Sequence, residues 1–245
     1  MAEPDYAQGL ERLHALISGD LHEHIDPLSR PAIVGWGWFF QIVHQLYAVQ
    51  RGHQDGHCGS GAPNRRSAFE HALSLFWLVD LGDDAVDILN RALQEDQKQL
   101  ANLVKAAGLE QKVSEEAYQV LWGTIAESIP SHPEEGTRKI SQLLKKYDLK
   151  ELATYYCVES RFAHPTLSSA QMFFADRGET YELHQLPRFE EAIPCHQFCV
   201  QILFDSMHAF NRLMLGQPWS AALQEIAEEY GLTLPIYGDA QTPDA

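Results

Sequence analysis

Apolar residues recur through this chain at three- and four-residue intervals, and no stretch alternates apolar and polar residues convincingly at period 2. That spacing lines side chains along one stripe of an α-helix and argues against a core built on a sheet. The expected fold class is all-α, a multi-helix bundle. A first helix is predicted over 5–18, with Leu10, Leu13, Leu16 and Ile17 on one face. Pro27 and Pro31 bracket a connector, and a second helix runs to about Val49. Trp36, Trp38, Phe39, Phe40 and Tyr47 spread around that helix, which marks it as a central core helix.

The four glycines of 51–63 read as a loop. A third helix starts at Pro63 or Asn64, passes through Phe69, Leu73, Phe76 and Trp77, and stops near Gly82. Asp83 is expected to cap a long amphipathic helix reaching about Ala107. Further helices are expected over 114–129, 137–147, 150–164, 167–174, 193–215 and 219–230, with a Pro133 and Gly136 loop and an extended segment or lid over 176–187. No linker divides the chain. It reads as a single helical domain over 1–234, with a motif-bearing core at about 31–174 and a flexible polar tail at 235–245.

Charge narrows the function classes. The 18 Lys and Arg residues face 34 Asp and Glu, a formal charge of -16. Binding along a nucleic-acid backbone needs clustered cations to displace counterions, and an anionic membrane repels such a surface. The basic residues Arg138, Lys139, Lys145, Lys146 and Lys150 form one cluster, read as a solvated helix face. Hydrophobic content of 45% excludes a disordered chain. No apolar run reaches the roughly 20 residues of a membrane span, so no membrane partner is expected. The four cysteines are too scattered for a disulfide framework and the acidic N-terminus lacks a signal-peptide pattern, which predicts a cytoplasmic, reducing location.

Two stretches carry chemistry. Arg66 and Glu70 stand four apart, on one face of the third helix beside Phe69, Leu73 and Phe76. They read either as an internal ion pair fixing helix register or as part of a ligand or catalytic pocket. Tyr156, Ser160 and His164 also recur at four-residue spacing, and Pro165 ends their helix. His164 reads either as a C-cap bonding a backbone carbonyl or as a site histidine. Tyr156 and Ser160 read as satisfied core polar groups or as pocket lining, and His71 as a solvated or interfacial histidine. Together these groups are the place where acid-base chemistry lines up at helical spacing.

Two further stretches, His53-x-x-x-His57-Cys58 and Cys195-His196-x-x-Cys199, hold soft ligands. Cys195 and Cys199 share a helix face, but no Cys-x-x-Cys knuckle is present and Cys199 sits in an apolar run. No metal and no cofactor is expected. Phosphate-binding loops, dinucleotide fingerprints, nucleophile elbows and His-Glu-x-x-His motifs are missing from the sequence.

The Arg-x-x-x-Glu helix followed about 90 residues later by Tyr-x-x-x-Ser-x-x-x-His-Pro resembles an uncharacterised bacterial all-helical family known as a domain of unknown function. The resemblance spans roughly 31–174 and places Arg66, Glu70, Tyr156, Ser160, His164 and Pro165 on its motifs. More distantly the layout is similar to the HEPN superfamily (higher eukaryotes and prokaryotes nucleotide-binding), which implies a HEPN-like bundle with additional C-terminal helices. Many members of that superfamily are metal-independent ribonucleases of toxin and defence systems, with an Arg followed four to six positions on by a His. Arg66 and His71, or Arg65 and His71, meet that spacing, although Ser67 stands where Asn, Asp or His is usual.

The leading expectation is a helical ligand- or partner-binding module of a bacterial stress or defence setting, its pocket lined by Arg66, Glu70, Tyr156, Ser160 and His164. Its partner would be a protein or a small molecule. The alternative is a ribonuclease acting as a homodimer, with Arg66, Glu70, His71 and His164 as catalytic candidates and RNA as substrate. The acidic surface ranks that alternative second.

Overall fold

Helix formation starts at residues that satisfy the first free N–H groups. The Asp5 carboxylate accepts from the backbone of Ala7 and Gln8 to open α1 (Tyr6–Ile17), and Ser29 Oγ accepts from Ala32 N to open α2 (Arg30–Gln54). Then follow α3 (Ala62–Leu81), α4 (Asp83–Ala106), α5 (Ile140–Lys146), α6 (Lys150–Ala163), α7 (Leu167–Gln171), β1 (Phe174–Asp176), β2 (Tyr181–Leu183), α8 (Cys195–Asn211) and α9 (Ser220–Tyr230). This is a computed structural model, and it describes residues 5–57, 61–108, 139–147, 149–185 and 195–232. The expected helix over 114–129, the Pro133 and Gly136 loop, Arg138 and the 235–245 tail lie outside the described residues. The described residues are all-α apart from one small hairpin.

The central helix is α3, and not α2 as the aromatic content of 31–49 suggested. On α2 the buried line is Ala32, Gly35, Phe39, Ile42, Leu46 and Val49, a single face, while Ile33 and Tyr47 are about half exposed. On α3 burial runs nearly all the way round: Ala62, Arg65, Ala68, Phe69, Ala72, Leu73 and then Leu75 to Leu78 are all buried. The reason is position, since α3 packs against α2, α4, α5, α6 and α8. Helix α8 closes the bundle across α1, α2 and α3, and α9 covers the end formed by α1 and α8.

An aromatic cluster locks α2 to α8 and α9. Phe39 stacks on Phe210 at 4.6 Å between centroids and 6° between planes, and Trp219 leans on both rings. Each such ring, fully removed from water, contributes about 1.5–3 kcal/mol. Gly35 permits this closeness: a Cβ there would lie 2.5 Å from Leu213 Cδ1.

Three local expectations need correction. Helix α2 continues to Gln54, so the glycine-rich connection is shorter than 51–63. Gly82, at φ +58 and ψ -126, separates α3 from α4 in a conformation that needs glycine. It occupies the cap position of α4, and Asp83 and Asp84 instead begin the first turn, where the helix dipole favours acids. The helix expected over 167–174 stops at Gln171. Phe174 opens an antiparallel hairpin in which Phe174 pairs with Leu183 and Asp176 with Tyr181. Among the described residues no helix is long and apolar enough to cross a membrane.

Candidate functional site

Two helices that meet along their length, α3 and α6, carry the two motifs. Phe69 on α3 faces the Tyr156 ring of α6 at 6.1 Å, and Phe198 of α8 packs under Phe69 and Tyr155. This apolar floor fixes the distance at which polar side chains on the two helices can reach each other. Residues one position apart on a helix are turned by about 100°, so Arg65 and Arg66 leave α3 in different directions.

Arg66 is the hub. Its Nε donates to Glu70 Oε1 at 3.0 Å, and Nη2 donates to the Tyr156 hydroxyl at 3.0 Å. The Tyr156 hydroxyl in turn donates to the same Glu70 oxygen at 2.9 Å, closing a ring of three hydrogen bonds. Nη1 of Arg66 meets Nε2 of His164. A guanidinium only donates, so the imidazole nitrogen accepts at that contact. The guanidinium also lies over the Tyr156 ring, 5.1 Å from its centroid. The cluster sits at the protein surface: the Arg66 side chain is 23% exposed and Glu70 33%, and His164 is exposed.

The electrostatics follow from these partners. Partial burial pulls the Arg66 guanidinium down, but the hydrogen bonds and charges of Glu70 and then Tyr156 outweigh it, and the net shift is upward. Burial first, and then Glu70, push the Tyr156 phenol up against the opposing pull of Arg66. The arginine therefore stays charged and the tyrosine stays a donor across the neutral range.

His164 reaches this hub because α6 ends there. The proline that follows disfavours helical backbone at the preceding residue, and His164 is extended at φ -114 and ψ 160. Its ring bonds Arg66 of the neighbouring helix, so the expected capping of a backbone carbonyl is not the contact it makes. Thr166 begins the next helix with a capping box to Ser169, fixing the chain beyond the corner.

Two of the expected site residues take other partners. Ser160 Oγ donates to the Tyr156 carbonyl of its own helix at 2.7 Å. His71 Nδ1 lies 2.7 Å from the Ser67 carbonyl, also one turn back on its own helix. Five positions along one continuous helix place His71 roughly 140° around the axis from Arg66, so the arginine-histidine spacing of a ribonuclease signature does not converge here.

The internal ion pair is a different one. Arg65, 2% exposed, donates from Nε to Glu159 Oε1 at 2.9 Å in the core between α3 and α6. The second carboxylate oxygen of Glu159 is buried without a hydrogen-bond partner among the described residues. Gly61 makes room for the guanidinium, since a Cβ there would stand 2.8 Å from Arg65 Nη1. The signal was present in the sequence: Arg65 falls in register with Phe69, Ala72 and Phe76, the buried stripe of α3.

The other expected sites are placed as follows. Cys157 is exposed and Cys199 buried, both as free thiols, while Cys58 and the Cys195 side chain lie outside the described residues. Lys146 of the basic stretch bonds Asp80, 3.4 Å away, and Lys145 is exposed. A shallow groove of about 540 Å³ between α1 and α2, lined by Glu11, His14, Val43 and Tyr47, shares no residue with the Arg66 cluster. Comparison of the chain with protein-family models, curated proteins and solved structures finds no match in any of the three.

Proposed function

We propose that this chain is a helical binding module of a bacterial stress or defence system, and that the Arg66 cluster recognises an oxyanion carried by a small molecule or a protein partner. The observation that supports this reading is the geometry of Arg66 itself. Three of its five N–H donors are engaged, by Glu70, Tyr156 and His164. One hydrogen remains on each terminal nitrogen, and the side chain is 23% exposed. A guanidinium anchored in this way has little further freedom to lose on binding, and the N–H left on each terminal nitrogen can donate to an oxygen of a carboxylate or phosphate. Glu70 balances the fixed charge and would repel an anion that approached from its own side. The setting rests on the motif resemblance alone.

Calorimetric titration with inorganic phosphate and with small carboxylates tests the proposal. Saturable binding is expected, weakened at least about tenfold in Arg66→Lys, which keeps the charge and loses the fork. Equal binding by the parent protein and that variant would remove Arg66 from the site.

A second reading, a metal-independent ribonuclease working as a homodimer, is favoured by one observation. Arg66 touches His164, and a base beside a guanidinium is what attack of a ribose hydroxyl on a phosphate requires. It ranks second because the net charge of -16 repels RNA and because His71 is turned away. RNA cleavage in chelator, lost in both Arg66→Ala and His164→Ala, would establish it.

A further inference from the structure

Helices α1 and α2 each pack on α8, and the space left between them is the groove of about 540 Å³. Its walls are two stripes that recur at helical spacing, Glu11 and His14 on α1 against Val43, Tyr47 and Gln50 on α2. The fold has not used up the polar groups there. Nε2 of His14 is buried without a hydrogen-bond partner among the described residues, a state that costs stability until something bonds the nitrogen. Burial also pushes the His14 imidazole down, so at neutral pH it is uncharged and has one nitrogen free to accept. The Glu11 carboxylate is exposed, and Tyr47 leaves about half of its surface open at the rim. Among the described residues no Lys or Arg lines the groove. Arg12, next to Glu11 in the chain, is tied to Glu229 and lies over the Tyr230 ring, and Arg51, one turn beyond Tyr47, is exposed and outside the lining.

We propose that this groove is a binding site for a small primary amine, a molecule with an ammonium head and an apolar body. The lining selects that chemistry. An ammonium only donates hydrogen bonds, and the Glu11 carboxylate, the His14 nitrogen and the Gln50 amide oxygen all accept. The face of the Tyr47 ring attracts a cation, and Val43 and Ile17 supply apolar wall for the body. A carboxylate or phosphate would meet the Glu11 charge with no cation to hold it. A neutral apolar molecule would leave His14 Nε2 unpaired. The charge of -16 draws cations to the surface as a whole. The groove volume falls within the roughly 300–1,000 Å³ of small-molecule sites, which assigns it to a free amine and not to a lysine arm of a protein. It shares no residue with the Arg66 cluster, and neither site depends on the other.

The test is calorimetric titration of the full chain at neutral pH with three probes of one length, pentylammonium, pentanol and pentanoate. The expected result is saturable binding of one pentylammonium per chain, at least about tenfold tighter than pentanol, and no saturable binding of pentanoate in the groove. Glu11→Gln should weaken the amine about tenfold, the loss expected when a hydrogen bond to a charged group becomes a neutral one. His14→Phe keeps the ring volume, removes the nitrogen and should weaken the amine at least about threefold. Should His14→Phe fail to fold, His14→Gln in the presence of Glu11→Gln should add no loss smaller than that. A lysine residue blocked at both ends should bind no more tightly than pentylammonium. Absence of amine binding, equal binding of amine and alcohol, or amine binding unchanged in the Glu11 and His14 variants would overturn the proposal, and clearly tighter binding of the blocked lysine would make the groove a protein-docking surface instead.

Discussion

Adjacent arginines in this chain have opposite surroundings, and substitution should separate them. Arg65 and Glu159 form a dry pair, so Arg65→Met leaves an uncompensated carboxylate in the core and should cost about 3–5 kcal/mol. In the double variant Arg65→Met/Glu159→Leu most of that loss should return, because an apolar pair of similar volume needs no desolvation. Chemical denaturation of the three proteins measures both numbers. Arg66→Met should cost only about 0–1 kcal/mol, as expected for a pair open to solvent. Tyr156→Phe removes one hydroxyl that both accepts from Arg66 and donates to Glu70, and should cost about 1 kcal/mol. The same substitution should loosen anion binding, because the guanidinium loses the partner that holds its plane.

At the level of elements, the short helix α5 is tied to α3 by polar contacts that can be cut singly. Leu143 is fully buried and Tyr147 nearly so. The Tyr147 hydroxyl donates to Asp80 Oδ2 at 2.8 Å, and Lys146 Nζ lies 3.4 Å from the same oxygen. Asp80→Ala should therefore abolish slow hydrogen exchange over 140–147 while amides of α2 and α3 keep theirs. Loss of protection in α3 as well would mean that α5 and α3 unfold as one unit. These elements show how far periodicity carries. The α3 and α6 positions of both motifs, and the end of α6 at Pro165, were legible because apolar spacing and proline chemistry act locally. Which helix is central was not, because α2 and α3 are both rich in aromatics and only their neighbours decide which face each must bury. The roles of Arg65 and Arg66 were likewise set by a rotation of one residue.

Considered whole, the protein carries a buried acid whose titration should shape its stability. Burial holds the Asp205 carboxyl up to about 8, against the hydrogen bond from Gln201 that favours the charged form. The unfolded chain ionises such a group near pH 4. Between about 4 and 8 the folded state keeps a proton that the unfolded state has lost, so stability contributed by this group falls as pH rises through that window. Asp205→Asn should remove the slope. It should melt several degrees above the parent near neutral pH and close to it at about pH 4, where both chains would be uncharged at this position. Burial pushes His14 and His208 down, with Arg212 adding to the shift at His208, so their effect runs the other way and stability is lost as pH falls below about 6.5. The difference between parent and variant isolates Asp205. At this scale the site reading rests on one question, whether the Arg66 cluster meets a ligand or only ties α3 to α6. The deciding measurement is a titration of nitrogen-15-arginine-labelled protein with inorganic phosphate, following the Nε–H resonance of Arg66 assigned by its loss in Arg66→Lys. A saturable shift of that resonance, with Arg65 unmoved, is the predicted result. An unmoved Arg66 resonance, together with a loss of stability in Arg66→Met as large as that in Arg65→Met, would make the cluster a clasp and contradict the proposal.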